Sequence, residues 1–452
     1  MSGLSYAESV AALQARGRFG IRLGLGRTRA ILRGLGDPQR SVRGALVAGT
    51  NGKGSVLALA GPALTAAGLR VGSTPKPHLV TYRERLQVDG LPIGVGAFAD
   101  LLGRVLPVAD RVAGRYGDPT EFEILTAALF LWFAEQHVDV AIVEVGLGGR
   151  LDATHAWDGG VAAITNVDLD HMDRLGATIP LIAREKAAII ERGDRAVTGA
   201  TGDALAIIRR RAARVGAALA VVQPAPLLGL HRDGIRVELP ALGPTDVGLR
   251  GRHQAANVAV ADAILDALEA AGIATVPPEA RRAGYRDARW PGRLELIDLP
   301  DGNQVLLDGA HNPAGAATLS RAIDDLRPFL RGATATDTAR LTVVTAMMAD
   351  KDVAGTVSAL SSASALAGAH VIATQVAGPR SLPAQELAAI WARDDPRLRV
   401  TAEPDVDRAI DQALAEARGP IVVGGSLYLV GHVRARLVDD AALRDPEPGP
   451  VP

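Results

Sequence analysis

The sequence predicts an α/β protein with a mainly parallel sheet, on three observations. Short β-rich runs alternate with longer helical stretches along most of the chain, the pattern of strands joined by crossover helices. Two such series are separated by the Pro/Gly punctuation Trp290-Pro291-Gly292, a candidate domain junction. The first series sets a Gly-rich turn directly between a strand and a helix, an arrangement suited to holding an anion.

In the first series, Gly44–Ala48 reads as a short strand, followed by a Gly-rich turn and a helix through about Ala67. Val138–Val145 is a bounded apolar run, hence a buried strand, and Val161–Val167 is another. Ile179–Ile190 reads as a helix. The second series has strands near Gln304–Leu307, Leu341–Ala346, Val371–Gln375 and Ile421–Val423, with helices between. The junction divides the chain into domains at 1–291 and 292–440. The Pro-rich end, 441–452, is expected to be disordered.

Composition narrows the function classes. The 452 residues carry 49 Lys+Arg against 50 Asp+Glu, a formal net charge of −1, which argues against a general nucleic-acid binder. Apolar residues at 48% and charged residues at 22% fit a globular chain with a sizeable core. The absence of cysteine excludes disulfides, cysteine zinc sites and thiol nucleophiles. The start is polar and predicts no secretory leader. The apolar run Ile124–Ala134 is too short to span a bilayer, so a cytoplasmic protein is expected. Only four of the 49 basic residues are lysines: Lys53, Lys76, Lys186 and Lys351. Where arginine is the default, a lysine marks a place for a compact or modifiable amine.

The sharpest local signal is Val47-Ala48-Gly49-Thr50-Asn51-Gly52-Lys53-Gly54-Ser55. Glycines let backbone N–H groups turn towards an anion, the helix N-terminus adds partial positive charge, and Lys53 can reach outer phosphates. The string departs from the standard phosphate-loop spacing, with Val47 at its first glycine and Gly54 between Lys53 and Ser55. Glu144 ends an apolar strand, where open α/β sheets bind ligands, and is either a Mg²⁺ ligand or a solvated strand end. Thr165-Asn166-Val167-Asp168-Leu169-Asp170-His171 runs from a strand into a polar cluster, which gives His171 either a metal or phosphate role or a surface one. Lys186 shares a helical stripe with Ile179 and Ile182; it either snorkels or is a buried amine open to carbamylation. Two more clusters follow, Gly251–Asn257 and Asp308–Pro313. Of only five asparagines, Asn51, Asn166, Asn257 and Asn312 all fall inside these clusters.

Taken in order, these strings resemble signatures of the folylpolyglutamate synthase/dihydrofolate synthase family, a branch of the Mur ligase superfamily. The resemblance runs from about Gly20 to Val433. It includes GTNGKGS at Gly49–Ser55, PHLVTYRERL at Pro77–Leu86, TEFEILTAA at Thr120–Ala128, EVGLGGRLDAT at Glu144–Thr154, HQAAN at His253–Asn257, WPGRLE at Trp290–Glu295, DGAHNPAGA at Asp308–Ala316, DKD at Asp350–Asp352 and GSLYLVG at Gly425–Gly431. It implies an N-terminal P-loop ATPase domain and a C-terminal Rossmann-like α/β domain, with ATP between them. It implies an amide ligase in which ATP phosphorylates a substrate carboxylate and L-glutamate attacks the acyl phosphate, releasing ADP and phosphate. The acid would be dihydropteroate, the γ-carboxylate of a folate, or both.

Carried over residue by residue, the resemblance assigns Gly49, Thr50, Asn51, Gly52, Lys53, Gly54 and Ser55 to the ATP phosphates, with Asn257 and Arg293. Asp308 would meet the ribose, with His311 nearby. Ser55, Glu144, His171 and a carbamylated Lys186 would hold one or two Mg²⁺ ions. Glu121, Phe122, Glu123, Leu151, Asp152 and Ala153 match the pteroate pocket, and Leu23–Arg27 resembles its N-terminal part. Lys53, Lys76, His171 and Lys186 form the expected catalytic group. A monomer with small-molecule substrates, and with neither nucleic-acid nor membrane partner, is expected.

Three positions depart from the family pattern. Lys76 stands where Ser is usual, His155 where Asn is usual, and Ala188 where Gly is usual. A charged ammonium cannot ligate Mg²⁺. Lys76 therefore either contacts the γ-phosphate or acyl phosphate, or points into solvent while Ser73 or Thr74 supplies the hydroxyl. The departures also leave room for a Mur-type ligase acting on another carboxylate, or for a nucleotide-binding protein that has lost catalysis.

Overall fold

The computed structural model describes residues 4–17, 22–331 and 340–446. Gly20, where the family resemblance begins, and the last six residues of the expected tail lie outside the described residues. β1 (Gly44–Ala48) is buried at every position, as its unbroken apolar run requires. It belongs to an eight-stranded sheet with β2 (Val71–Thr74), β3 (Gln87–Val88), β4 (Leu91–Pro92), β5 (Val140–Glu144), β6 (Gly160–Ile164), β7 (Arg195–Thr198) and β8 (Ala218–Val221). The order is β4-β3-β2-β5-β1-β6-β7-β8; β3 and β4 are antiparallel and the other six strands run parallel. Register pairs Val47 with Glu144, Ala48 with Ile164 and Thr74 with Val143. The carboxyl ends of β1, β2, β5 and β6 therefore share one edge, the place where open α/β sheets put their ligands.

The strand expected over Val161–Val167 ends at Ile164. Its next two residues turn their polar groups onto the Gly-rich loop instead of continuing the ladder. Thr165 Oγ1 donates to the Asn51 carbonyl (2.6 Å), and Asn166 Oδ1 accepts from the Asn51 N–H (2.9 Å). The helix expected over Ile179–Ile190 ends at Ala187, where it tightens into three-residue turns onto Lys186 and Ala187.

β9 (Leu227–His231), β10 (Gly234–Leu239) and β11 (Gly243–Val247) form a separate antiparallel sheet that the alternating pattern did not predict. A third sheet takes β12 (Glu295–Asp298), β13 (Gln304–Leu307), β14 (Thr342–Thr345), β15 (His370–Ala373), β16 (Arg399–Ala402) and β17 (Ile421–Gly424), in the order β12-β13-β17-β14-β15-β16. All but β12 are parallel. The predicted α/β class thus holds for both the N-terminal and the C-terminal sheets. No helix among the described residues is long and apolar enough to cross a membrane.

The helix Lys53–Ala66 packs on the helices Gln254–Ala270 and Pro278–Asp287. The last contact is close enough to need glycine: a Cβ on Gly284 would fall 2.3 Å from the Ala63 backbone nitrogen. The two halves meet at several places, among them the ion pair Arg252–Asp325 and residues 79–83. A Cβ on Gly431 would lie 2.1 Å from the Leu79 carbonyl, so the helix Leu427–Leu437 rests directly on that segment.

Of the stretch expected to be disordered, 441–452, residues 441–446 are described and one of them is anchored. Asp445 returns to the N-terminal half, where Oδ1 accepts from Thr81 Oγ1 (2.8 Å) and Arg83 Nε (3.1 Å), and Oδ2 from the Tyr6 hydroxyl (2.8 Å). The buried Arg83 guanidinium also donates to the Arg444 carbonyl (2.9 Å). A buried guanidinium needs such acceptors, and the tail supplies them.

Candidate active site

Three of the four lysines converge on the shared edge of the N-terminal sheet. Gly49 and Gly52 adopt positive φ, 154° and 79°, and the helix starts at Lys53 with no side-chain cap. Its first-turn N–H groups are therefore open to a ligand. Lys53 Nζ donates to the Gly49 carbonyl (3.1 Å) and the Thr50 carbonyl (3.3 Å), and lies 3.9 Å from Glu144 Oε1. Lys186 Nζ donates to the same Gly49 carbonyl at 2.8 Å. Lys186 is 4% exposed, so it does not snorkel. Burial, then the Lys53 charge, pushes its amine down to about 7.

Glu144 is buried, not a solvated strand end. Burial raises its carboxyl above the usual range, against the pull of Lys53 and Lys76. Oε2 accepts the Lys76 backbone N–H at 3.1 Å, and Lys76 Nζ donates to the Glu144 main-chain carbonyl at 2.6 Å. The Lys76 ammonium also stands 4.4 Å over the Phe122 ring. It does not point into solvent. Ser73 Oγ donates to Gln87 (3.3 Å), away from this edge.

His171 caps a short helix in a left-handed conformation, φ 49°, with Nε2 3.8 Å from Asp170 Oδ2. Burial lowers its pKa, and Lys351, Lys186 and Lys53 lower it further. Among the described residues no three His, Asp or Glu side chains gather as a metal-binding group. Glu144 and His171 alone are of those types in the expected set with Ser55 and Lys186. A buried carboxylate facing lysines still suits a hard cation that takes its other ligands from phosphate and water.

The far side of the loop is closed by the helix Gln254–Ala270. Asn257 Nδ2 donates to Gln254 Oε1 (2.8 Å), and Gln254 Nε2 reaches Ser55 Oγ (3.4 Å). A Cβ on Gly52 would fall 2.2 Å from Asn257 Oδ1. Gln254 was quoted in the sequence only as part of HQAAN; its role in tying Ser55 to Asn257 needed the fold. Thr165 was missed in the same way.

The C-terminal sheet brings Asp308, Arg293 and His311 to the cleft. Asp308 uses both oxygens on backbone N–H groups, Leu294 (3.0 Å) and Ala310 (2.9 Å). His311 Nδ1 pairs with the Gly309 carbonyl (2.8 Å). Burial lowers the His311 pKa, and facing a carbonyl oxygen Nδ1 is the donor. The Arg293 charge acts on both Glu144 and Asp308, which places it between the two sheets.

Beside Lys76 opens a cavity of about 370 Å³, lined by Glu121, Phe122, Glu123, Leu151, Asp152 and Ala153, and on its N-terminal side by Leu23 and Gly24. All six expected pocket residues meet here. Two of their carboxylates are already occupied. Glu123 closes a capping box with Thr120 and accepts Arg27 Nε at 2.9 Å. Asp152 accepts from the backbone of Leu147 (2.8 Å) and Thr154 (3.0 Å). They shape the cavity; Glu121 faces the Arg85 guanidinium at 3.6 Å, which leaves the Phe122 ring to face a ligand. Of the other departures, His155 Nε2 pairs with Glu191 Oε1 (3.1 Å); nothing in the structure explains Ala188.

Comparisons with known proteins agree with this arrangement. The Mur ligase middle domain matches residues 47–265, and the Mur ligase, glutamate ligase domain matches 292–427. The dihydrofolate synthase/folylpolyglutamate synthase of Bacillus subtilis is 34% identical over 96% of this chain and 99% of its own length. The fold is similar to Mycobacterium tuberculosis folylpolyglutamate synthase complexed with ADP and AMPPCP, with TM-score 0.81 and 32% identity over 96% of this chain and 99% of that one. It is also similar to the bifunctional folylpolyglutamate synthase/dihydrofolate synthase of Yersinia pestis complexed with AMPPNP and a Mn ion, with TM-score 0.79 and 30% identity over 97% and 98% of the two chains. The chain is an ATP-dependent ligase, and it belongs to the folylpolyglutamate synthase/dihydrofolate synthase family of Mur ligases.

Proposed function

We propose that the chain adds L-glutamate to dihydropteroate, to the γ-carboxylate of folates, or to both, through an acyl phosphate, releasing ADP and phosphate. Residues 1–291 serve as the nucleotide- and pteroate-binding domain and 292–440 as the ligase domain. One observation carries the reading: Glu144 has Lys53 of the Gly-rich loop on one side and Lys76, over the cavity wall Phe122, on the other. Nucleotide and acid sites are thus contiguous, as phosphoryl transfer to a carboxylate requires.

The loop Gly49–Ser55 binds the ATP phosphates through its N–H groups, with Lys53 on the outer phosphates and Asn257 and Arg293 closing over them. The close approach of Asn257 to Gly52 fits a backbone that must lie bare against phosphate. Asp308 fixes its loop and faces the ribose, with His311 beside it. A divalent cation, when bound, neutralises phosphate charge and orients the reacting group. Glu144 would hold it best, with Ser55, His171 and a carbamylated Lys186 as the further residues that would supply ligands. The buried Lys186 amine at about 7 supports carbamylation, which needs the neutral amine. Leu23, Leu151, Ala153 and the Phe122 ring hold the flat aromatic end of the acid and exclude water.

ADP release by the full chain, measured with ATP, Mg²⁺, dihydropteroate and L-glutamate and with each omitted, tests the reading. Release should require both acid and amine. No turnover with dihydropteroate or any folate would reject it.

A further inference from the structure

Between the phosphate loop and the cavity stands Lys76. It follows β2 by two residues, and β2 pairs with β5, which places it beside Glu144. Its backbone N–H holds Glu144 Oε2 (3.1 Å), and its side chain curls round to the Glu144 main-chain carbonyl (2.6 Å). Lys53 approaches the same glutamate from the other side, 3.9 Å from Oε1. Glu144 thus separates a loop-side cation from a cavity-side one.

The cavity side is built for an anion that arrives from the cavity. Phe122 and Asp152 line the cavity. The Lys76 ammonium stands 4.4 Å over the Phe122 ring, and the Asp152 and Glu144 charges act on it through space. Of its three N–H donors, one is used on the Glu144 carbonyl; the other two have no hydrogen-bond acceptor among the described residues. A carboxylate reaching from the cavity towards a phosphate on the Gly-rich loop meets this ammonium first. A compact amine sits beside a ring and a main-chain carbonyl, in a chain that otherwise uses arginine.

Resting on the ligase reading above, we propose that Lys76 Nζ is the docking cation for the reacting carboxylate of the acid substrate, holding it at the mouth of the cavity during phosphorylation. In that step one carboxylate oxygen forms a bond to the γ-phosphorus. The bond from the γ-phosphorus to the β–γ bridging oxygen breaks, and ADP leaves with the electron pair. No proton moves. Lys76 keeps its protons and pairs with the other carboxylate oxygen, which leaves the attacking oxygen's lone pair aimed at phosphorus.

Lys76→Met isolates the ammonium, because it keeps the unbranched side chain up to its last carbon and the backbone N–H on Glu144. Calorimetric binding to nucleotide-free full-length protein compares dihydropteroate with an analogue whose reacting carboxylate is an uncharged amide. Wild type should favour the carboxylate by about tenfold or more, the range of one charge-assisted hydrogen bond. Lys76→Met should bind both alike, with ATP affinity unchanged and the KM for the acid raised. Lys76→Arg should recover only part of the preference. If the methionine variant fails to fold, Lys76→Gln carries the same expectation. Equal binding of acid and amide by wild type, or a tenfold preference kept by the neutral variant, overturns the proposal. Wild-type turnover separates the two levels: normal ADP release with an unaltered neutral variant fails only the docking cation, whereas no release with any folate acid fails the ligase reading itself.

Discussion

The two sheet edges that face the cleft handle charge in opposite ways. On the N-terminal edge, Lys53 and Lys186 crowd one carbonyl, Lys76 sits over a ring, and the buried carboxylate set between Lys53 and Lys76 is Glu144. On the C-terminal edge, Asp308 is satisfied by two backbone N–H groups, and His311 is tied to Gly309. Ammonium groups crowded in excess of their carboxylate partners are costly to bury unless an anion joins them. The difference assigns phosphate chemistry to the first edge and nucleotide positioning to the second.

The largest test of that division is Lys53→Met. It should cut kcat by on the order of 10²–10³, the scale of losing one preorganised charge at the reacting phosphate, while folding is retained. A loss below about tenfold would break the asymmetry. Lys186→Arg keeps the charge but cannot be carbamylated; most activity should go, and added bicarbonate should not restore it. An active arginine variant would make the carbamate dispensable. On the satisfied edge, Asp308→Asn should act mainly on binding, raising the KM for ATP by about tenfold with a smaller change in kcat. A collapse of kcat there would move chemistry onto the second edge.

Much of this edge was legible in the sequence because its parts are local strings. Gly49–Ser55, Glu144 and Asp308–Pro313 each sit at a strand end, and a strand of bounded apolar residues can be read without tertiary knowledge. Scarcity helped as well: four lysines among 49 basic residues pointed to the three that converge. What was not legible depends on contacts distant in sequence. Gln254 reaches Ser55 across 199 residues, and Arg83 finds Asp445 across 362. The Pro-rich end reads as disordered because composition cannot register a single aspartate docking on a buried arginine. The capping box of Glu123 was missed because TEFE was read for a ligand pocket instead of a helix start.

Two smaller effects sharpen the comparison away from the ligands. Asp445→Ala leaves Arg83 buried with fewer acceptors and frees the end of the chain. Asp445 is partly exposed, so a loss of about 1–2 kcal/mol is expected from urea unfolding, with ADP release reduced far less than by Lys53→Met. No change in unfolding midpoint would show that the tail only rests on the surface. Crowded charge also occurs where no ligand is expected. Asp194 is pushed from the ordinary 3.8 up to about 7, chiefly by burial and with help from Asp158. Between those values the folded chain keeps a proton that the unfolded chain has released, so this group's contribution to stability falls as pH rises through that window. The thermal midpoint of Asp194→Asn should therefore gain on wild type with rising pH across the same window. A constant difference would contradict it.

The contiguity of phosphate loop and cavity is tested most directly by following oxygen. Dihydropteroate with a heavy-oxygen-labelled carboxylate is turned over with ATP and L-glutamate, and the released phosphate is analysed by mass spectrometry. Passage through an acyl phosphate at the Lys53–Glu144–Lys76 seam predicts one labelled oxygen in each phosphate. Unlabelled phosphate, with amide product formed, would contradict it.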